Sequence, residues 1–200
     1  DEGVHLALGE AGYLAAEFND EADGGFNRLR RRLWNLEIGR AHTPWFHWGT
    51  TAMVARAVRD FGSPALKDEV MERALSGRIR LCLGYTEPEG GSDVATCKTR
   101  AVRDGDSWII NGSKMFITNG REGSAFALLA LTDPSASPRH RGMSCFVVEK
   151  GHPGFRVMKS ITKLGYKGVD TAELLFEDCL VPAANLVGGL EGRGFKHVMS

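Results

Sequence analysis

The 200-residue sequence predicts an α+β fold in three successive parts. Residues 1–82 carry apolar residues at helical spacing, which predicts an N-terminal helical domain. Residues 83–187 carry short apolar runs separated by turn signals, which predicts a middle β-domain, an antiparallel barrel or sandwich. Residues 188–200 place a new helical stripe after a glycine-rich loop, which predicts the start of a C-terminal helical bundle. That stripe covers less than two turns, so we expect the chain to continue beyond Ser200.

Apolar residues in the first part recur at intervals of three and four. The first series is Val4, Leu8, Ala11 and Ala15, and the second is Phe26, Leu29, Leu33 and Leu36. Four arginines interrupt the second series: Arg28, Arg30, Arg31 and Arg32. We expect these arginines to form the solvated face of an amphipathic helix, with the leucines on its other face.

Two further helices precede the β-domain. One is predicted over Met53 to Phe61, ending at Gly62. The next begins at Ser63-Pro64, because serine is a favoured N-cap and proline is favoured at the first helical position. Its apolar stripe consists of Leu66, Val70, Ala74 and Leu75. Gly77 stands where a left-handed residue commonly ends a helix.

The β-domain is marked by two dipeptides that favour tight hairpins. Asp104-Gly105 and Asn111-Gly112 are both typical of two-residue type I′ turns. The predicted strands cover residues 107–110, 114–118, 125–131, 144–149, 154–158 and 172–176. Strands joined in this way form a meander, so we expect an antiparallel sheet. Residues 133–141 contain two prolines and two serines and are predicted to form an exposed loop.

Composition excludes several classes of protein. Lys and Arg total 25, as do Asp and Glu, so the net charge of zero argues against a nucleic-acid binder. A hydrophobic content of 42% excludes a wholly disordered chain. The longest apolar run, residues 125–131, is far shorter than the ~20 residues of a membrane span, so none is expected. The opening Asp1-Glu2-Gly3 lacks the basic start of a secretory signal, so we expect no export.

Cysteine and histidine positions indicate no structural metal. Cys82, Cys97, Cys145 and Cys179 are widely scattered and form no C-x-x-C pair, so we expect reduced and mostly buried thiols. His42 and His47 lie near one another in the sequence, beside three aromatic residues. A metal pair would need a third ligand, and none is nearby, so no metal site is predicted.

The segment that points to chemistry joins the helical part to the first predicted hairpin. It reads Tyr85-Thr86-Glu87-Pro88-Glu89-Gly90-Gly91-Ser92-Asp93-Val94. Paired glycines followed by a hydroxyl and an acid can form a tight loop whose N–H groups face an anion. The same residue types also occur in ordinary surface turns. From the residues alone, both interpretations stay open.

This segment resembles the Thr-Glu-Pro-x-x-Gly-Ser-Asp signature of the acyl-CoA dehydrogenase family. Residues 111–120 resemble the family's Asn-Gly-x-Lys-x-Trp-Ile-Thr-Asn-Gly stretch, and residues 176–182 resemble its Phe-x-Asp-Val-x-Val-Pro strand exit. Residues 194–196 resemble the start of the helix that follows, and residues 8–12 and 24–25 resemble parts of the N-terminal helical domain. Four ordered motifs are specific together, although each alone is not, and the resemblance spans almost the whole chain.

The resemblance implies an FAD site. Its cofactor-binding residues would be Tyr85, Thr86, Gly91, Ser92, Phe116, Ile117 and Thr118. Thr86, with Tyr85, would hydrogen-bond the flavin pyrimidine, and Thr118 would hydrogen-bond near N5. Phe116 would pack against the ring system, where many members of the family have tryptophan. Phenylalanine keeps the apolar face but lacks the indole N–H, so we expect altered packing rather than lost binding.

The resemblance also implies a substrate site for the CoA thioester. Ser92 would reach the FAD phosphates or the CoA part of the substrate. Arg139 and Arg141 could meet the CoA phosphates, because guanidinium groups suit phosphate, but a solvated loop is the alternative. No catalytic residue is assigned within residues 1–200, because the family's glutamate base lies after Ser200. Glu87 and Glu89 are expected to be cap or turn residues.

The activity implied is the flavin-dependent α,β-dehydrogenation of an acyl-CoA to the trans-2-enoyl-CoA, a step of fatty acid metabolism. The expected partners are an acyl-CoA, an electron-transferring flavoprotein as acceptor, and copies of the chain in a homodimer or homotetramer. Alternatives are a non-catalytic subunit of a heteromeric dehydrogenase, or an acyl-CoA oxidase or flavin monooxygenase of the same fold. We expect a cytoplasmic location in a bacterium, or an organelle matrix in a eukaryote.

Overall fold

The computed structural model describes residues 2–199. The side chain of Met199, which belongs to the predicted C-terminal stripe, lies outside the described part. Six α-helices lie in this range: α1 (Glu2–Glu10), α2 (Tyr13–Phe18), α3 (Arg28–Arg40), α4 (Phe46–Phe61), α5 (Pro64–Leu75) and α6 (Gly194–Met199). Seven strands lie between α5 and α6: β1 (Leu81–Gly84), β2 (Arg100–Asp104), β3 (Ser107–Thr118), β4 (Ala125–Leu131), β5 (Met143–Glu149), β6 (Phe155–Ser160) and β7 (Thr171–Pro182). The α+β class and its order are confirmed.

Glycine breaks the first apolar series into two helices. Gly12 adopts φ 75°, a left-handed conformation that costs other residues free energy, so α1 ends before it and α2 begins after it. The spacing of three and four continues across the break, which is why the pattern alone predicts one helix. Further along, α5 begins as predicted: Ser63 Oγ accepts a hydrogen bond from the Leu66 N–H at 3.2 Å, and Pro64 is its first residue. Gly77, with φ 76°, follows its end.

Helix α3 forms where the second apolar series predicts a helix, but its leucine face points the opposite way. Leu29, Leu33 and Leu36 are exposed, whereas Arg31 and Trp34 are half-buried. The expectation that the leucines pack inward is therefore wrong, whereas Arg28, Arg30 and Arg32 are exposed as expected and Arg31 is the exception. No residue of α3 is fully buried, so this helix lies on the surface of the described part of the chain.

Three contacts explain the orientation of α3. The Trp34 ring stacks on Tyr13 at 5.2 Å and meets Trp45 edge-on at 5.4 Å between ring centroids. Arg31 Nη1 donates a hydrogen bond of 2.7 Å to the carbonyl oxygen of Glu17. Aromatic rings bury a large area each, so a tryptophan cluster outweighs exposed leucines in deciding which face turns inward.

The strands form one mixed sheet rather than a purely antiparallel one. The order of pairing is β1-β4-β2-β3-β7-β6, and β5 pairs along the whole of β4 outside this path. Four pairings are antiparallel, β2–β3, β3–β7, β4–β5 and β6–β7, but β1 and β2 both pair in parallel with β4. A parallel pair needs a long connection. Here the β2–β3 hairpin lies within the connection between β1 and β4. A simple meander would instead pair each strand with the next one along the chain.

The two hairpin dipeptides have different outcomes. A hairpin does join β2 and β3, but Asp104 pairs with Ser107, so its central residues are Gly105, at φ 56°, and Asp106. The hairpin predicted at Asn111-Gly112 is wrong, because β3 runs unbroken through it from Ser107 to Thr118. Gly112 adopts φ 148° at a bulge, where the register against β7 shifts.

Two apolar clusters meet at the sheet. Leu81, Ala125 and Ala127 face a cluster that includes the buried faces of α4 and α5. Their sequence neighbours Cys82 and Phe126 face the interior of the β-domain, because side chains alternate across a strand. Strands β1 and β4 therefore contribute to both clusters, and the boundary predicted after residue 82 falls inside β1.

The cysteines confirm the expectation of reduced and buried thiols. All four are free and buried. Burial raises the pKa of both Cys82 and Cys145 to about 12. Low thiolate content makes a cysteine unreactive, so these side chains serve packing. Among residues 2–199, no helix has the length and apolar character needed to cross a membrane.

Candidate active site

Backbone hydrogen bonding brings the two motif segments together. The Met115 N–H donates to the carbonyl oxygen of Thr86 at 2.9 Å, although these residues lie far apart in the sequence. Lys114 Nζ donates to the carbonyl oxygen of Tyr85 at 3.2 Å. The end of β1 and the middle of β3 are therefore in direct contact. The residues expected to bind the flavin lie on neighbouring stretches of backbone.

A buried ion pair holds this junction. Lys114 is fully buried, and its Nζ lies 2.9 Å from Oε1 of Glu87, whose side chain is 9% exposed. The Glu87 carboxylate also accepts hydrogen bonds from the Lys98 N–H at 2.7 Å, the Thr99 N–H at 2.9 Å and the Thr99 hydroxyl at 2.6 Å. A charge that is buried with a partner and several donors is stable, whereas either partner alone would not be. Glu87 is thus a structural anchor of the loop.

The ionisation of Glu87 follows from these contacts. Burial raises the pKa of its carboxyl, but the Lys114 ammonium, the Thr99 hydroxyl and the Lys98 N–H together lower that pKa to about 2. Glu87 is therefore ionised at neutral pH, and both oxygens of its carboxylate accept hydrogen bonds from donors inside the protein. It cannot act as the base that removes a substrate proton, which agrees with the expectation that Glu87 is not catalytic.

The glycine pair shapes the loop through close packing. A Cβ atom on Gly90 would lie 2.4 Å from Thr96 Oγ1, and a Cβ on Gly91 would lie 3.0 Å from Thr86 Cγ2. Asp93 Oδ1 accepts a hydrogen bond of 3.1 Å from the Ala95 N–H and so starts a short 3-10 turn, Val94–Thr96. The result is a tight loop that leaves Ser92 exposed and packs Gly91 against Thr86.

Strand β3 presents its motif residues irregularly. Phe116 has φ 59° and is 57% exposed, and the register against β7 shifts between Lys114 and Ile117. Bulky residues rarely adopt positive φ, and such strain collects at functional sites. Ile117 is buried in the β-domain, so only its backbone could contact a ligand, whereas Thr118 is half-buried.

These residues fit a flavin in their chemistry. An isoalloxazine ring needs apolar cover for its faces and hydrogen-bond partners along its polar edge. Phe116 offers an exposed aromatic face, and Thr86 and Thr118 offer half-buried hydroxyls on adjoining backbone. A Cβ on Gly91 would press against the Thr86 side chain, so a larger residue there would require Thr86 to shift.

The expected phosphate-binding arginines have different placements. Residues 139–142 form a short 3-10 turn within the predicted loop. Arg139 Nη2 donates 2.9 Å to the carbonyl oxygen of Cys97, which fixes this turn beside the segment that follows Ser92. Arg141 is exposed on the same turn. Both arginines are exposed, and the structure brings Arg139 close to the segment that follows the glycine loop.

A cavity opens beside Tyr85, between α4, β1 and α6. Its volume is about 230 Å³. Its apolar wall consists of Met53, Ala57, Phe61, Leu83 and Val198, and Arg56, Asp60 and His197 also line it. Burial raises the pKa of the Tyr85 hydroxyl, so this tyrosine is neutral and completes a largely apolar wall.

Sequence reasoning missed Lys114 and Thr99 as parts of the site. The available signal was a charged side chain at an inward position of a long apolar strand. A lysine buried in such a strand requires a charged partner, and the only acids in the matched loop are Glu87, Glu89 and Asp93. His42 and His47 belong to no cluster of three or more side chains that could hold a metal ion within residues 2–199.

Comparison with known proteins identifies the family of this fold and site. The sequence matches "Acyl-CoA dehydrogenase, N-terminal domain" over residues 1–78 and "Acyl-CoA dehydrogenase, middle domain" over residues 82–179. It is 43% identical over 139 residues to the mitochondrial isovaleryl-CoA dehydrogenase of Pongo abelii, covering 70% of this chain and 33% of that protein. It is 36% identical over 195 residues to the mitochondrial short-chain specific acyl-CoA dehydrogenase of Rattus norvegicus, covering 96% of this chain and 47% of that protein.

Solved structures agree with the sequence matches. The acyl-CoA dehydrogenase of Geobacillus kaustophilus superposes with a TM-score of 0.88 and 36% identity, over 100% of this chain and 53% of that one. The butyryl-CoA dehydrogenase of Megasphaera elsdenii superposes with a TM-score of 0.84 and 31% identity, over 98% of this chain and 52% of that one. The chain spans about a third to a half of the length of these relatives. By fold, by motif contacts and by these matches, the chain belongs to the acyl-CoA dehydrogenase family.

Proposed function

We propose that the protein is an FAD-dependent acyl-CoA dehydrogenase, which removes two hydrogens from the α and β carbons of an acyl-CoA thioester. The observation that supports this most is the contact between the two motif segments, through the 2.9 Å hydrogen bond from Met115 to Thr86. That contact joins the loop of Thr86 to the strand of Phe116 and Thr118, which supports a shared ligand for the three residues. The names of the relatives, isovaleryl-CoA, short-chain acyl-CoA and butyryl-CoA dehydrogenases, support the same reaction class.

Bound FAD would accept the β-hydride at N5. The residues of this chain bind and orient it. Thr86, with Tyr85, would hydrogen-bond the pyrimidine edge, Phe116 would cover an apolar face, and the Thr118 hydroxyl would donate near N5. The Lys114–Glu87 pair acts indirectly, because it fixes the loop that carries Thr86 against the strand that carries Phe116 and Thr118. The base that takes the α-proton lies after Ser200 by resemblance.

Substrate contacts follow from the neighbouring surfaces. Ser92 and Arg139 lie at the exposed rim of the glycine loop and bind the phosphate part of CoA. The cavity beside Tyr85 receives the acyl group, because one of its walls is apolar, it adjoins the flavin motif and it has the volume for a short chain. An electron-transferring flavoprotein is the proposed acceptor. A homodimer or homotetramer in the bacterial cytoplasm, or in an organelle matrix, is the proposed setting.

The full-length protein that carries this segment should purify with a flavin absorbance band, and the band should bleach anaerobically when an acyl-CoA is added. Isovaleryl-CoA and butyryl-CoA are suitable first substrates. Colourless protein that cannot be reconstituted with FAD would contradict the proposal. Bound FAD that no acyl-CoA reduces would instead identify a non-catalytic subunit, and rapid reoxidation by oxygen would identify an oxidase or a monooxygenase.

Thr118→Val should slow flavin reduction by about tenfold, because loss of one hydrogen bond that matters most during hydride transfer costs roughly 1 to 2 kcal/mol. The affinity for the acyl-CoA should change much less, because that bond is made to the flavin. Stopped-flow absorbance measures both quantities. The exposed Thr162→Val is the matched control. Reduction traces identical to those of the control would remove Thr118 from the site.

Ala57→Phe should lower kcat/KM for butyryl-CoA by about five- to 150-fold, because a phenyl group forced into the cavity costs roughly 1 to 3 kcal/mol. FAD content should stay unchanged, since Ala57 lines the proposed acyl cavity rather than the flavin motifs. Ala65→Phe, on the exposed side of α5, is the control. Equal kcat/KM for the two variants would place the acyl group elsewhere.

A further inference from the structure

Helix α4 carries part of the wall of the proposed acyl cavity and is hydrogen-bonded to the β-domain next to that wall. Met53 and Ala57 line the cavity, and Thr50 lies three and seven residues before them. Residues at these intervals share one face of a helix, so Thr50 and the cavity wall lie on the same stripe of α4. A contact that fixes Thr50 therefore also fixes the position of the cavity wall.

The partner of Thr50 is the residue that follows Thr118. Asn119 Nδ2 donates a hydrogen bond of 3.0 Å to Thr50 Oγ1, and the Thr50 hydroxyl itself donates to the carbonyl oxygen of His47 at 3.3 Å. Asn119 is fully buried, so water cannot replace Thr50 as the acceptor for its amide. This bond joins α4 directly to the end of β3.

The backbone of Asn119 is held within the β-domain. Asn119 adopts φ 60°, a left-handed conformation that asparagine adopts more readily than most residues. Its N–H donates to the carbonyl oxygen of Asp170 at 2.8 Å, and its carbonyl oxygen accepts the Gly123 N–H at 2.6 Å and the Cys82 thiol at 3.3 Å. Asn119 therefore has a fixed position beside Thr118, and its side chain passes that position on to α4.

The next residue of α4 makes a second bond of the same kind. Thr51 Oγ1 accepts the Leu81 N–H at 3.1 Å and donates to the carbonyl oxygen of His47 at 2.9 Å. Leu81 begins β1, the strand that leads to Thr86. Both flavin motif segments are thus connected to the helix of the acyl cavity, and the Thr50 bond is the one that adjoins Thr118.

We propose that Thr50 and Asn119 are a positioning pair, whose hydrogen bond sets the distance between the acyl cavity and the Thr118 hydroxyl and so aligns the β-carbon of the substrate for hydride transfer. Such transfer depends steeply on alignment, and a misplacement of ~1 Å can cost about 100-fold in rate. The inference rests on the proposed dehydrogenation. It adds that a bond between α4 and β3, outside the groups that bind either ligand, determines the rate.

Thr50→Val removes the acceptor and keeps the shape of the side chain. In the full-length protein it should lower the limiting rate of flavin reduction by butyryl-CoA at least about tenfold, because the reacting atoms lose their alignment. The FAD content and the Kd of butyryl-CoA should stay close to those of the parent, since no group that binds either ligand is changed. Stopped-flow absorbance at several substrate concentrations separates the rate from the affinity.

Two further variants separate positioning from stability. Thr50→Ser returns the hydroxyl and should return the rate to that of the parent. Thr132→Val is the matched control, because Thr132 is also half-buried and hydrogen-bonded, but to Gly142 and Ser144 rather than to a flavin motif segment. This control should lose stability without losing rate.

Hydrogen exchange gives a measurement that needs no activity. Exchange at residues 117–123, followed by mass spectrometry, should become at least about fivefold faster in Thr50→Val and stay unchanged in Thr132→Val. Unchanged exchange there, a limiting rate equal to that of Thr132→Val, or a loss confined to Kd would overturn the positioning pair and leave the dehydrogenase assignment intact. A parent protein that holds FAD but is reduced by no acyl-CoA would overturn the proposed function, and the role of the pair with it.

Discussion

Lys114→Met should lower the free energy of unfolding by about 3 to 5 kcal/mol, because it leaves the Glu87 carboxylate buried without its cation. Lys114 is fully buried and its Nζ is 2.9 Å from Glu87 Oε1, so water cannot replace the lost partner. Urea denaturation of the two proteins measures the difference. Lys98→Met is the matched control: Lys98 pairs with Glu89 on the surface, and exposed pairs contribute about 0 to 1 kcal/mol.

The same substitution should reduce FAD content, because the Glu87 carboxylate anchors the loop that carries Thr86. It should also change the response to acid. In the parent protein the pKa of Glu87 is lowered to about 2, below its ordinary value of 4.5, so its contribution to stability is complete above the ordinary value and is lost as the pH falls toward 2. Without Lys114, protonation of Glu87 should occur at higher pH. Stability equal to that of Lys98→Met would contradict the role assigned to the pair.

Gly112→Ala should destabilise the protein by about 2 to 4 kcal/mol, combining backbone strain with a steric clash. Gly112 adopts φ 148°, which residues with a Cβ rarely reach, and the added Cβ would lie 2.5 Å from Thr99 Oγ1 and 2.7 Å from Thr99 Cα. Thr99 donates two hydrogen bonds to Glu87, so its displacement should disturb the glycine loop and reduce FAD content. Denaturation curves and flavin absorbance measure both effects.

Gly39→Ala is the control for the loss of glycine. Gly39 lies in α3 with no atom near its added Cβ, so alanine there should be neutral or should stabilise the helix by about 0.5 to 1 kcal/mol. Denaturation midpoints that coincide for the two variants would show that the bulge at Gly112 tolerates a side chain. In that case the close approach to Thr99 would not constrain this position.

The sequence predicts element types better than their orientation. Helix α3 has a strong apolar period, so local spacing alone predicts that it forms. Its leucines face outward because the Trp34 cluster and the Arg31–Glu17 contact lie on the other side of the helix. The parallel placement of β1 beside β4 likewise depends on a pairing between distant segments. Asn111-Gly112 is locally ambiguous, since a glycine that favours a turn also favours a bulge, and the long pairing with β7 decides between them.

The candidate site was predicted through its motifs, but the contacts that assemble it were not. Thr86, Phe116 and Thr118 were named from their motifs, and their proximity became visible only through the hydrogen bond between the two segments. The sequence does not indicate the role of Lys114, because a lysine in a strand usually faces solvent. Its partner, Glu87, was expected to be a cap or turn residue, and the structure gives it a stronger role as the buried counter-ion.

The sharing of β1 and β4 between the two apolar clusters bears on protein engineering by recombination. Leu81 and Ala125 belong to the helical cluster, while Cys82 and Phe126 belong to the β-domain. A chimaera that exchanges the first 82 residues for those of a homologue would change two neighbouring side chains of β1. One of them packs in the helical cluster and the other packs in the β-domain. The helix-facing positions of β4 and β5 would have to be exchanged with them. The unit that can be inherited as a module is therefore defined by which face of a strand a residue occupies, not by a single crossover point in the chain.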